Sequence, residues 1–93
     1  MELPVNYEKI NQSERKKVRE KYVRIQGGKC HLCWMDLKGP IAQELRYLSI
    51  NKDLFPSGFF RHPVHLHHDH KTGMTIGAVH CDCNAISWQY HGE

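Results

Sequence analysis

Four histidines and one aspartate stand close together in the C-terminal third of the chain, in the run HLHHDH from His65 to His70. Imidazole is the commonest metal ligand and the side chain that exchanges protons most readily near neutral pH. We therefore expect part of this run to bind a metal ion or to move a proton. The run belongs to a chain of 93 residues with a formal net charge of +3, which is enough for one small domain over residues 1–93.

The four cysteines form two groups on either side of this run. Cys30 and Cys33 form a Cys-x-x-Cys, which is half of a zinc site, although a pair of buried or redox-active thiols is the alternative. In the second group, Cys81 and Cys83 form a Cys-x-Cys, whereas His80 and Cys83 repeat the two-residue spacing of the first pair. We favour a structural zinc site of the Cys₃His type, formed by the pairs at 30–33 and 80–83, with Cys81 as a spare thiol.

Basic residues concentrate in one segment, residues 12–26, which the pattern predicts to be a helix. Asn11 can cap its start with Glu14 as the reciprocal partner, and Gly27 can end it. Its six cations are Arg15, Lys16, Lys17, Arg19, Lys21 and Arg24. Charge alone is compatible with a solvated outer face or with a helix that contacts phosphates.

The remaining pattern predicts a hairpin followed by a helix. Residues 63–68 alternate between apolar and polar side chains, residues 71–73 form a turn, and residues 74–79 are rich in strand-forming side chains. A short helix can follow over residues 84–90, and another over residues 40–50. The order of these elements predicts an α+β domain with an N-terminal basic helix.

These motifs together resemble the HNH endonucleases, and most closely the branch of the phage recombination endonuclease VII. The similar parts are QGGKCHLC, HLHHDH, the TG of the turn, and the CN at the start of the last helix, within residues 12–34 and 64–88. The resemblance implies a small zinc-stapled ββα-metal (His-Me finger) fold with its core over residues 63–89. It also implies a DNA endonuclease that hydrolyses phosphodiester bonds. The alignment from Thr72 to Asn84 needs no gap, and it supports His80 over Cys81 as the zinc ligand.

The resemblance also implies roles for the opening run. His67 and Asn84 would hold one catalytic divalent ion, Mg²⁺ or Mn²⁺, or Ni²⁺ or Co²⁺ for a nitrogen-rich site. His68 would be the general base, and His70 would contact the phosphate or a metal ligand. If the motif is instead aligned two residues further on (the slipped frame), Asp69 takes the place of His67 as metal ligand and His70 takes the place of His68. Adjacent residues of a regular strand point to opposite faces, so His67 and His68 converge on one phosphate only if the strand is distorted between them.

A nuclease must dock a phosphate-bearing polymer near its site, so DNA is the expected partner and the six cations of the basic helix are the expected contacts. Neither a signal peptide nor a membrane-spanning stretch is visible. We expect an intracellular protein in the cytoplasm of a bacterial host, phage-encoded as the resemblance implies, with a homodimer left open. Two alternatives remain: a zinc-stabilised nucleic-acid-binding module without activity, and a toxin or phage packaging accessory protein in which the fold serves a partner protein.

Overall fold

The computed structural model describes residues 2–92 and joins a two-stranded antiparallel hairpin to three α-helices. The elements are α1 (Gln12–Ile25), α2 (Gln43–Arg46), β1 (Val64–His68), β2 (Thr75–His80) and α3 (Cys81–His91). Short 3₁₀ turns lie at Tyr7–Lys9, Lys52–Leu54 and Phe59–Arg61. The predicted α+β order, with a basic helix followed by strand, strand and helix, is confirmed. Among the described residues, none of the helices is long and apolar enough to cross a membrane.

The start of α1 is fixed by the predicted capping box. The Asn11 Oδ1 accepts the Glu14 N–H at 2.8 Å, and the Glu14 Oε1 accepts the Asn11 N–H at 3.1 Å. Val18 and Tyr22 are buried in the core, and the Tyr22 hydroxyl lies 2.9 Å from a threonine hydroxyl of β2. Val18, Tyr22 and Ile25 stand at i, i+4 and i+7, a spacing that predicts one apolar stripe, but Ile25 is 64 % exposed and does not join the buried cluster.

Two of the predicted helices have different limits in the structure. The last helix begins at Cys81, three residues before the predicted start at Asn84, because the extended backbone of His80 caps it and the Cys81 N–H donates to the Pro63 carbonyl at 2.9 Å. This earlier start places Cys83 and Asn84 in the first turn of α3. The predicted helix over residues 40–50 is a single turn of 4 residues.

The hairpin is regular except at one point. Val64 pairs with His80, and the pairing continues in step to His67 opposite Gly77. The register then shifts between His67 and His68. The strand distortion that a shared site for these two histidines requires is therefore present.

The outer edge of β2 is covered by side-chain and main-chain groups from the N-terminal half. The Gln26 Nε2 donates to the Ala78 carbonyl at 2.9 Å, and the Ala78 N–H donates to the Gln26 Oε1 at 2.8 Å. The His31 N–H reaches the same carbonyl at 3.0 Å, and the Thr75 N–H donates to the Val5 carbonyl at 2.8 Å. The unpaired N–H and C=O groups of an edge strand can pair with another chain, and these hydrogen bonds occupy such groups on β2.

The glycine opposite His67 is required by this edge. A Cβ at Gly77 would lie 2.7 Å from the Gln26 Oε1 and 3.0 Å from the His31 Cβ. Because Gln26 is held by three hydrogen bonds, it cannot withdraw without losing them. We expect Gly77→Ala to lower the free energy of unfolding by about 1–3 kcal/mol, measured by chemical denaturation. Gly39→Ala, whose Cβ would meet nothing closer than 3.6 Å, is the matched control and should be near neutral. Equal stability of the two variants would contradict the proposed role of this edge.

Candidate metal centre and adjoining cleft

The four predicted zinc ligands come together in the structure. The ligand atoms of Cys30, Cys33, His80 and Cys83 all lie within 4.8 Å of one another. The His80 Nδ1 is 3.4 Å from the Cys33 Sγ and 3.5 Å from the Cys83 Sγ. A tetrahedral zinc site with Zn–S of about 2.3 Å and Zn–N of about 2.0 Å has N···S edges of about 3.5 Å. The residues therefore form a group that could hold one tetrahedral metal ion, consistent with structural zinc.

Local hydrogen bonds favour a thiolate in this group. The Cys83 thiol hydrogen-bonds to Cys30 and lowers the pKa of Cys30 well below its usual range, against the effect of burial. Backbone N–H groups of Cys33, His80 and Leu32, which point at the Cys30 Sγ from 3.4–3.5 Å, act in the same direction. The same Cys30–Cys83 bond raises the pKa of the Cys83 thiol, which therefore holds the shared proton. A metal ion would replace that proton, since thiolates are the ligand form of cysteine.

The orientation of His80 also suits a ligand. Its Nε2 lies 2.8 Å from the Asp36 carbonyl oxygen, to which an Nε2–H donates. That hydrogen bond leaves the Nδ1 unprotonated and directed at the sulfurs. Ligating histidines commonly donate their second ring N–H to a carbonyl in this way.

Cys81 lies outside the group. Its thiol donates to the Asp82 Oδ1 at 3.6 Å, and burial, followed by the Asp82 carboxylate, raises the pKa of Cys81 to about 11. It therefore stays a thiol at neutral pH. The group that could hold a metal ion therefore contains His80 and Cys83 and leaves Cys81 out, which favours the predicted pairing of His80 with Cys83.

A second cluster surrounds Asn84, the residue that follows the last cysteine. The Asn84 Nδ2 lies 3.1 Å from the His65 Nδ1, and the His65 Nε2 lies 2.8 Å from the Phe59 carbonyl oxygen. An Nε2–H that donates to this carbonyl leaves the His65 Nδ1 as an acceptor, and burial lowers the pKa of His65 in favour of this neutral form. The Asn84 Oδ1 consequently faces the His67 Nδ1, at 3.2 Å.

The His67 Nδ1 and the Asn84 Oδ1 are joined by a hydrogen bond, and an ion that replaced its proton would meet both atoms at a distance that suits two ligands. Adjacent ligands of an octahedral ion at about 2.1 Å are about 3.0 Å apart. The two donors would be an imidazole nitrogen and an amide oxygen. Mg²⁺ prefers oxygen ligands, so a site with an imidazole nitrogen suits Mn²⁺, Ni²⁺ or Co²⁺ better. Sequence analysis missed the part of His65, although its spacing of two from His67 places both on one side of β1.

His68 takes a different position, on the wall of an open cleft of about 670 Å³ that Asn84 also lines. The imidazole is half-buried, and its ring lies 4.8 Å from the ring of His70, which is exposed. Burial, and after it the neighbouring His70, lowers the pKa of His68. The neutral ring is therefore the dominant form near neutral pH, as a proton acceptor requires.

Asp69 caps the hairpin turn. Its Oδ1 accepts the N–H groups of Lys71 at 2.7 Å and Thr72 at 3.0 Å, and these two bonds lower the pKa of the carboxyl group. Its carbonyl accepts the Gly73 N–H at 2.7 Å. The carboxylate therefore has a structural task in the turn, which disfavours the slipped frame with Asp69 as a metal ligand.

The six cations of α1 divide between two faces. Arg15, Lys16 and Arg19 line the cleft beside His68 and Asn84. Lys17, Lys21 and Arg24 line a separate groove. The helix therefore presents only half of its predicted phosphate contacts to the candidate site.

Comparison with known proteins gives no family for this chain. No protein-family model, no curated protein and no solved structure matches it.

His80 and Cys81 are the two alternatives for one ligand position, and substitutions can distinguish them. We expect Cys33→Ser and His80→Ala to release the metal and unfold the domain, because structural zinc supplies about 10 kcal/mol or more of folding free energy. Cys81→Ser is the matched control and should keep both metal and fold. Bound zinc and thermal melting are measured for each variant. Loss of the metal from Cys81→Ser, with retention in His80→Ala, would show that the ligand set is wrong.

Proposed function

We propose that this protein is a divalent-metal-dependent DNA endonuclease that hydrolyses phosphodiester bonds by the single-metal mechanism of the HNH enzymes. The observation that carries the proposal is the Asn84 Oδ1 facing the His67 Nδ1 at 3.2 Å. His68 and three cations of α1 line one cleft with Asn84, so a base and a phosphate-binding wall adjoin one of the two candidate ion ligands. The other, His67, is buried behind Asn84 and does not line the cleft. The Cys₃His group would hold a structural zinc ion that fixes the first turn of α3, where Asn84 lies.

In this mechanism His67 and Asn84 would hold the catalytic ion, His67 through a ring nitrogen and Asn84 through its amide oxygen. Such an ion, when bound, would neutralise charge at the scissile phosphate and at the departing oxygen. His68 takes the proton from the attacking water, as a neutral imidazole can near neutral pH. Burial, and after it the neighbouring His70 at 4.8 Å between ring centroids, lowers the pKa of His68 and favours the neutral ring before the reaction.

The substrate class follows from the cleft wall and the resemblance together. Arg15, Lys16 and Arg19 place positive charge along one side of the cleft, which suits a polymer of phosphates. The choice of DNA comes from the HNH resemblance. A homodimer and a phage-encoded protein in a bacterial cytoplasm stay predictions.

A nucleic-acid-binding module without activity is the second candidate. The second basic groove, with Lys17, Lys21 and Arg24, favours it because that groove does not adjoin the histidines. Binding alone, however, does not need the hydrogen-bond chain from Phe59 through His65 and Asn84 to His67. That ordered chain favours the enzyme.

Plasmid nicking tests the roles of the individual residues. His68→Ala should fold, bind zinc and bind DNA like the parent, while cleavage falls by about 10²- to 10⁴-fold because the general base is lost. His67→Ala and Asn84→Ala should weaken binding of the catalytic ion, so that excess Mn²⁺ restores part of the activity. Asp69→Ala, which removes only a turn cap, should be milder than any of these.

The same assay can contradict the proposal in two ways. An active His68→Ala beside an inactive His70→Ala would favour the slipped frame. A parent protein that cuts with none of Mg²⁺, Mn²⁺, Ni²⁺ or Co²⁺ would favour the binding module.

Two charge-matched double variants test which face of α1 docks on DNA. Lys16→Gln with Arg19→Gln should weaken binding to all sequences and reduce the slope of log K against log salt by about 2, because two phosphate contacts are lost. Lys17→Gln with Arg24→Gln removes the same charge from the other face and should have the smaller effect. Affinity is measured over a salt titration. The reverse order of the two effects would show that DNA docks outside the cleft.

A further inference from the structure

The N-terminal segment lies across the end of the hairpin, next to the histidine run. The Tyr7 N–H donates to the Gly73 carbonyl at 2.7 Å, and Asn6 forms an isolated bridge with Met74. Gly73 has a φ of +79°, and a Cβ there would lie 2.9 Å from the Asn6 Oδ1. Close contacts with the part of the turn that leads into β2 therefore fix where the Tyr7 side chain begins.

The ring of Tyr7 stacks on the imidazole of His68. Their centroids are 3.9 Å apart and their planes differ by 7°. The Arg15 guanidinium lies 3.8 Å from the centroid of the same tyrosine ring, and it must occupy the opposite face because His68 already covers one face. Arg15 also donates from Nε and Nη2 to the Tyr7 carbonyl, at 3.1 and 2.9 Å. Guanidinium, phenol and imidazole thus form one column.

We propose that Tyr7 is a positioning residue that holds the imidazole of His68 in the orientation needed to accept a proton, and that Arg15 braces Tyr7 from its other face. The assignment rests on the proposed function, since it takes His68 to be the base. His68 follows the register shift of β1, where the regular ladder no longer fixes its direction. A displacement of about 1 Å in a reacting group can cost about 100-fold in rate, so a stacked partner has a large effect.

Two neighbouring cations that line the cleft, Arg15 and Lys16, have different roles under this proposal. Arg15 donates two hydrogen bonds to the Tyr7 carbonyl, and its guanidinium makes a cation–π contact with the tyrosine ring. Lys16, its neighbour, is exposed and lines the same cleft. Arg15→Gln should therefore lower kcat, whereas Lys16→Gln should raise KM and leave kcat unchanged.

Kinetics of Tyr7 variants test the role directly, on the full-length protein with Mn²⁺ and a DNA substrate. Tyr7→Leu should lower kcat by about 10- to 100-fold with KM unchanged, because misorientation of the base affects the chemical step and not docking. Tyr7→Phe keeps the ring and should restore kcat. A Tyr7→Phe variant as impaired as Tyr7→Leu would overturn the inference in favour of a role for the hydroxyl group. Unchanged kcat in Tyr7→Leu would overturn it as well.

An NMR measurement gives a result independent of cleavage. The His68 ring protons lie over the tyrosine face and should resonate upfield in the parent protein and in Tyr7→Phe. They should move downfield in Tyr7→Leu, with zinc content and melting temperature unchanged. If Tyr7→Leu does not fold, Arg15→Gln should give the same downfield direction. Unshifted protons in the parent protein would overturn the inference, while shifted protons in a protein that does not cleave would overturn the proposed function alone.

Discussion

The fold depends on one cluster of four side chains that joins segments far apart in the sequence. Cys30 and Cys33 come from the turn after α1, His80 is the last residue of β2, and Cys83 lies in the first turn of α3. A metal ion bound there would fix the angle at which the strand passes into the helix. In a chain of this size the apolar core is small, and small domains commonly use a structural metal site to supply the stability that the core lacks. Asn84 follows Cys83 directly, so the centre also sets the position of the candidate ion ligand.

Orientation within the cleft comes from a different source, the loop before β1. Phe59 contacts the His65 ring edge-on at 4.6 Å between centroids and accepts its Nε2–H through the carbonyl. Phe55 packs on Phe59 and on Trp88 of α3, so aromatic contacts connect this loop to the helix that carries Asn84. An asparagine amide has two chemically different ends, and the contact with His65 decides which end faces His67. The cluster of three cysteines and His80 thus places Asn84, and the loop before β1 orients its amide.

Sequence analysis predicted the parts of this arrangement that depend on local spacing. The Cys-x-x-Cys and His-x-x-Cys pairs identified the ligand group, and the capping box at Asn11 identified the start of α1. Sequence analysis did not predict the first turn of α3, the contact of His65 with Asn84 or the stacking of Tyr7 on His68. These features depend on contacts between distant segments: Tyr7 meets His68 only because the N-terminal segment lies on the hairpin turn, and no spacing along the chain encodes that placement.

The helix α1 shows why charge in the sequence is a poor guide to binding at single positions. Val18 and Tyr22 join it to the core, Arg15 stacks on Tyr7, and Lys16 faces the cleft. These tasks are separated along and around one helix of 14 residues: Arg15 lies on the same side as Tyr22 but two turns earlier, and Lys16 is rotated by about 100° from Arg15. The surface cations therefore differ in what they stabilise, although they are equal in formal charge. A neutralising substitution on α1 changes packing around the base, the potential in the cleft or the potential of the other groove, according to the face on which the residue lies.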